Sequence, residues 1–193
     1  MGNSHQESIS FDDTYQDNLE MFGHPYKELQ AYFSLYPARG SVLDLGCGQG
    51  RDALFLASLG YGVTAVDSSS IGIEQMLSEA ERRGLRLSGI VADVLQLKLQ
   101  DKFDIVLFDM LLHSFEKEQQ SEILMNYSVT LNKKGLFCII YPDDMSTDHF
   151  MNILASLPCQ WKLLNEVTIK DVPKIEGEPS DFSFTMMVAQ ITS

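Results

Sequence analysis

At 193 residues, with 27 acidic against 14 basic side chains, the chain has room for one domain and a formal charge of −13. That charge repels phosphate backbones and argues against nucleic acid as a partner. No apolar run approaches the roughly 18 residues of a membrane span, and the N-terminus lacks a charged-then-apolar signal pattern, so no membrane partner and a cytoplasmic location are expected. Three cysteines, Cys47, Cys138 and Cys159, with no short metal spacing, form neither a disulfide framework nor a zinc site, and no metal is expected.

The whole chain, 1–193, reads as a single domain. Residues 1–24 are polar and acidic with scattered aromatics, Phe11, Tyr15 and Phe22, and read either as a frayed terminus or as a flap over a ligand, ahead of an α/β core over 25–193. "HPYKELQAYFSLY" predicts a helix with Pro25 in its first turn. From Ser41 the chain alternates apolar runs with helix-like stretches, as a parallel α/β sheet requires. "SVLDL" is a first strand, and "RDALFLASLG" a helix with Leu54, Leu56 and Leu59 on its apolar face. "YGVTAVD" is a second strand, and "SSSIGIEQMLSEAERRG" a serine-capped helix that stops at Gly84. "LRLSGIVAD" and "FDIVLFDM" are strands three and four; a helix over 117–131 leads to "GLFCIIYP", strand five.

The tail departs from this rhythm. After a helix over 148–157, "WKLLNEVTI" and "FSFTMMVAQI" are joined by the polar loop "KDVPKIEGEPSD", too short for a helical crossover, and are therefore expected to be antiparallel neighbours. The expected fold is α/β and Rossmann-like: a seven-stranded, mostly parallel sheet with one antiparallel C-terminal strand and helices on both faces.

Three features fall on one sheet edge: the glycine loop after strand one, Asp67 after strand two and Asp93 after strand three. Ligands bind outside the carboxyl ends of such strands, where strand order reverses. Glycines let the backbone approach a ligand, Asp67 is placed to accept from ribose hydroxyls, and Asp93 with the amide of Val94 is placed to meet adenine. "GCGQGRD" has neither the spacing nor the lysine of a P-loop, and its third glycine arrives one residue too early for a dinucleotide fingerprint.

"VLDLGCGQGRDALFLASLGYGVTAVDSS", with the later "VAD" and "FDIVLFDMLLHSF", resembles the class I S-adenosylmethionine-dependent methyltransferase family over about residues 40–141. Within it the first segment is most similar to the small bacterial tellurite-resistance and thiopurine-type enzymes. Asp44, Gly46, Gly48 and Gly50 match the family's D/E-x-G-x-G-x-G position by position. The resemblance implies S-adenosylmethionine as cofactor and S-adenosylhomocysteine as product. It places the glycines beneath the donor's methionine and ribose, Asp44 at the floor of the loop, Asp67 and Ser68 at the ribose, Asp93 and Val94 at adenine, and Asp109 near the methionine amine.

Each residue also has a plain structural alternative. The glycines could serve only a tight turn, Asp67 could cap the next helix in competition with the serines after it, and Asp93 could simply end a strand. Arg51, in a first helical turn, opposes the macrodipole, so it either points to solvent or meets an acid such as Asp52 or a ligand carboxylate. His113 is the candidate general base, needed only for an acceptor that arrives protonated. The chain has no room for a substrate domain, so the expected partner is a small-molecule methyl acceptor, possible acceptors including a thiol or chalcogen oxyanion, with the protein a monomer or homodimer. A catalytically silent donor-binding sensor and a nicotinamide-dependent reductase are the competing readings.

Overall fold

The computed structural model describes residues 11–16, 23–36, 40–170 and 183–192. The chain runs α1 (Phe11–Gln16), α2 (Lys27–Leu35), β1 (Ser41–Leu45), α3 (Arg51–Ser58), β2 (Gly62–Asp67), α4 (Ser70–Arg83), β3 (Leu87–Val91) and β4 (Phe103–Asp109). A single 3₁₀ turn (Leu112–Ser114) precedes α5 (Lys117–Ser128), β5 (Leu131–Pro142), α6 (Thr147–Ser156), β6 (Trp161–Ile169) and β7 (Phe184–Ile191). The strands form one seven-stranded sheet in the order β3-β2-β1-β4-β5-β7-β6.

β1 pairs in parallel with both β2 and β4, whereas β7 runs antiparallel to both β5 and β6. The reversed strand is therefore last in the chain but lies inside the sheet. Met186, Met187, Val188 and Ala189 are buried there, so its apolar run fits a strand covered on both faces.

The period-two alternation of the strands sorts the core into two layers. Val42, Val63, Ala65, Ile105 and Leu107 pack under Leu29 and Phe33 of α2, Leu56 of α3 and Met76 of α4. Leu43, Val66, Val106, Phe108 and Phe137 pack under Ile123 and Tyr127 of α5 and Phe150 of α6. Between β3 and β4 the described chain has no helix; Leu95, Leu97 and Leu99 of that connection join the second layer instead.

Two boundaries depart from the sequence reading. α5 stops at Ser128 rather than at Leu131, because the Ser128 and Thr130 hydroxyls donate to the carbonyls of Met125 and Tyr127, each at 2.8 Å. β5 correspondingly begins at Leu131, with a register shift against β4 between Phe103 and Ile105. The expectation for residues 1–24 lies largely outside the described residues; within them, 11–16 form α1, which packs on α4. Most of the "KDVPKIEGEPSD" loop also lies outside them.

Candidate functional site

Strand order reverses between β1 and β4, and there the parallel register sets out a row of acids. Asp44 pairs with Ala65 on one side and Leu107 on the other. Asp67 and Asp109 each lie two residues beyond those partners, so the pleat puts all three carboxylates on the face covered by α2, α3 and α4. They stand at the carboxyl ends of neighbouring strands, where open α/β sheets bind ligands.

The glycine loop closes over this row. The amides of Gly46 and Cys47 both donate to the Val66 carbonyl, at 2.8 and 3.0 Å, folding the loop back across β2. Gly48 N–H donates to Asp67 Oδ2 at 2.7 Å, and Ser69 N–H to Asp67 Oδ1 at 2.8 Å. Gly50 caps α3 at φ +80°, and a Cβ there would come within 2.2 Å of the Met76 side chain, so the position tolerates only glycine. The cap of α4 is the Ser69 hydroxyl, which accepts from Gly72 N–H at 3.0 Å, and this leaves Asp67 facing the loop.

Between loop, acids and α1 lies a cavity of about 460 Å³, within the range of roughly 300–1,000 Å³ usual for small-ligand sites. Asp44, Gly46, Gly48, Asp67, Ser68, Asp93, Val94, Asp109 and His113 all line it, while Gly50 stands behind the loop at the helix cap. Asp93 is exposed at the rim, where its carboxylate accepts from Leu95 N–H at 2.9 Å and from the Gln96 side chain at 3.0 Å. Val94 is buried beside it, and its carbonyl accepts from the Tyr127 hydroxyl at 2.8 Å. His113 sits in the 3₁₀ turn; burial pushes its pKa down, and the charge of Asp144 only partly opposes this.

Arg51 resolves toward compensation. Its guanidinium pairs with Asp52 at 2.9 Å and also with Asp109, and it lies 4.1 Å from the ring centroid of Tyr26, a cation–π contact. Tyr26 in turn meets Phe184 edge-on at 5.8 Å. One cation thus serves two buried carboxylates. Burial raises the pKa of Asp109 well above the carboxylate range; Arg51 opposes the shift and Asp52 adds to it. Asp52 goes the other way, since Arg51 outweighs its burial. Asp44, 2% exposed, is also pushed well up by burial and by the charge of Asp52. Among the described residues, Asp44 Oδ2 and Asp109 Oδ1 are buried without a hydrogen-bond partner. Those oxygens suit a ligand that brings a positive charge or N–H donors.

Sequence reasoning missed Tyr15, Tyr26, Phe115 and Phe184 as cavity walls. Tyr15 arrives on α1, whose Asp12 carboxylate accepts from the Ser69 hydroxyl and, at 3.4 Å, from Ile71 N–H. Gln75 of α4 donates to the Tyr15 carbonyl at 2.8 Å. The scattered aromatics of the N-terminal segment were the one available signal. Among the described residues no group of His, Cys, Asp and Glu is gathered to hold a metal, and no helix is long and apolar enough to cross a membrane.

The chain matches the family model "Tellurite resistance protein TehB" over residues 9–165. It is 33% identical over 107 residues to the probable S-adenosyl-L-methionine-dependent methyltransferase TehB of Haemophilus influenzae, a match covering 55% of this chain and 37% of that protein. The chain therefore spans little more than a third of the length of that curated relative. Among solved structures it superposes with a TM-score of 0.76 and 25% identity on a chain from "Conversion of a Disulfide Bond into a Thioacetal Group during Echinomycin Biosynthesis", covering 94% of this chain and 90% of that one. It superposes on TehB from Haemophilus influenzae with a TM-score of 0.71 and 21% identity, covering 93% of this chain and 65% of that one.

Proposed function

The chain belongs to the tellurite resistance protein TehB family, and from that premise we propose that it is a methyltransferase that uses S-adenosylmethionine to methylate a small-molecule nucleophile by in-line displacement. The observation that carries the reading is the row of Asp44, Asp67 and Asp109 under a glycine loop, with partnerless buried carboxylate oxygens facing the cavity. When bound, the donor supplies a methyl group on an already activated sulfonium leaving group.

The chain's own residues bind and orient. Asp67 accepts from the ribose hydroxyls beside Ser68, and Asp93 with Val94 N–H meets the adenine edge. Gly46, Gly48 and Gly50 let the backbone come close, while Asp44 and Asp109 balance the positive end. Leu111, Phe115 and Phe184 keep water from the reacting centre. His113, kept neutral near pH 7 by its burial, takes the proton of an acceptor that arrives protonated. A soft nucleophile such as a thiol fits this arrangement, and a relative of 25% identity is named for a conversion of a disulfide bond, chemistry at sulfur.

Arg51 in place of a sixth-position glycine, and the reversed β7, count against a nicotinamide-dependent reductase. Turnover of labelled donor over a panel of thiols, selenite, tellurite, amines and phenols tests the proposal. Donor binding without turnover of any acceptor would identify a sensor instead, and binding of NADH in preference to the donor would identify the reductase.

A further inference from the structure

The cavity sorts ligands by charge. Five carboxylates line it, Asp44, Asp52, Asp67, Asp93 and Asp109, against one Lys or Arg among the described lining residues. That one cation, Arg51, is already shared between Asp52 and Asp109 and covered by Tyr26. Asp44 Oδ2 and Asp109 Oδ1 remain partnerless in the wall. The remaining lining beside His113 is apolar, with Leu111, Phe115 and Phe184. Asp144 stands close enough to His113 to act on its charge. The segments outside the described residues add little positive charge: 1–10 and 17–22 contain no Lys or Arg, and 171–182 carries four acids to one lysine.

We infer that the acceptor is an uncharged or cationic organic molecule with an apolar body, and that inorganic oxyanions such as selenite and tellurite are excluded from this cavity. The inference rests on the methyl-transfer reading for the identity of the site as an acceptor site. An anion entering here would leave water for a low-dielectric wall of like charge, with no unpaired cation to receive it. A neutral aromatic or aliphatic acceptor gains from Phe115 and Phe184, and an ammonium gains from the carboxylates as well.

The test is ligand-detected NMR on the full chain, empty and saturated with S-adenosylhomocysteine, using three matched probes: benzyl alcohol, benzylamine and benzoate. Benzyl alcohol and benzylamine are expected to bind, benzoate at least tenfold more weakly, and neither selenite nor tellurite is expected to displace benzyl alcohol. Asp144→Lys is expected to narrow the benzylamine-to-benzoate ratio several-fold. Benzoate or either oxyanion binding as tightly as benzyl alcohol, no binding by any of the three probes, or an unchanged ratio in Asp144→Lys would overturn the inference. Failure of the donor reading is separate, because it shows as an absence of S-adenosylhomocysteine binding while the ranking of probes on the empty protein is still measured.

Discussion

Arg51 and Asp109, 58 residues apart in sequence, form an ion pair that ties the first turn of α3 to the end of β4 across the switch point of the sheet. The side chains are 12% and 10% exposed, and Asp52 beside them is 5% exposed. Removing the cation alone leaves two carboxylates buried without a counter-charge. Arg51→Met is therefore expected to destabilise the protein by about 3–5 kcal/mol. Adding Asp109→Leu should recover much of that loss. Urea unfolding of the single and double variants checks it, and a loss below about 1 kcal/mol in the single variant would show that the pair adds little.

Asp67 holds the amides of Gly48 and Ser69 and is proposed to hold the ribose as well. Asp67→Ala should weaken S-adenosylhomocysteine binding by about 30-fold or more, given roughly 1.5–3 kcal/mol for each hydrogen bond to a charged group. Far-ultraviolet circular dichroism should stay unchanged. Unaltered affinity would remove Asp67 from the ribose.

Donor binding should release protons. Burial raises the pKa values of Asp44 and Asp109, so their share of stability is present below the ordinary carboxylate range and is lost as pH rises through the raised values. The empty protein is thus expected to lose stability as the pH is raised from the weakly acid range. A ligand that brings positive charge favours the ionised carboxylates, so its affinity should increase with pH. Calorimetry in two buffers of different ionisation enthalpy measures the proton count; net proton uptake would refute this assignment.

His113→Ala should lower turnover of a protonated acceptor by about 10²–10⁴-fold while leaving S-adenosylhomocysteine affinity within a factor of two. Burial keeps the imidazole neutral to below its usual value of 6.5, so the wild-type rate should fall only below that pH. A rate that already halves above pH 7 would exclude His113 as the base.

α1 is latched to the N-terminus of α4 through Asp12, which meets the Ser69 hydroxyl and Ile71 N–H. Asp12→Ala should raise the dissociation rate of S-adenosylhomocysteine several-fold in stopped-flow measurements, as expected of a residue that holds a lid closed. An unchanged dissociation rate would show that α1 does not gate the site.

The strands, their order of appearance and the acids at their ends were legible because local pattern encodes them: period-two apolar runs, Gly stops and serine caps. The same pattern located Asp44, Asp67 and Asp109. It could not place Tyr26 over Arg51, nor bring Phe184 from β7 to the mouth, because those contacts depend on how α2 and the reversed strand pack. The position of β7 between β5 and β6 was equally hidden, since an antiparallel pair fixes which strands adjoin but not which lies at the edge. Arg51 was ambiguous for a related reason: Asp52 is its sequence neighbour, but its second partner, Asp109, is 58 residues away.

The central claim is that the row of acids under the glycine loop is a site for a sulfonium donor, and the measurement that tests it most directly is calorimetric titration of the full chain with S-adenosylmethionine and S-adenosylhomocysteine. The account predicts one-to-one binding of both in the micromolar range, lost in Asp67→Ala, with protons released on binding. No binding heat from either ligand at millimolar concentration, with the protein folded, would contradict it.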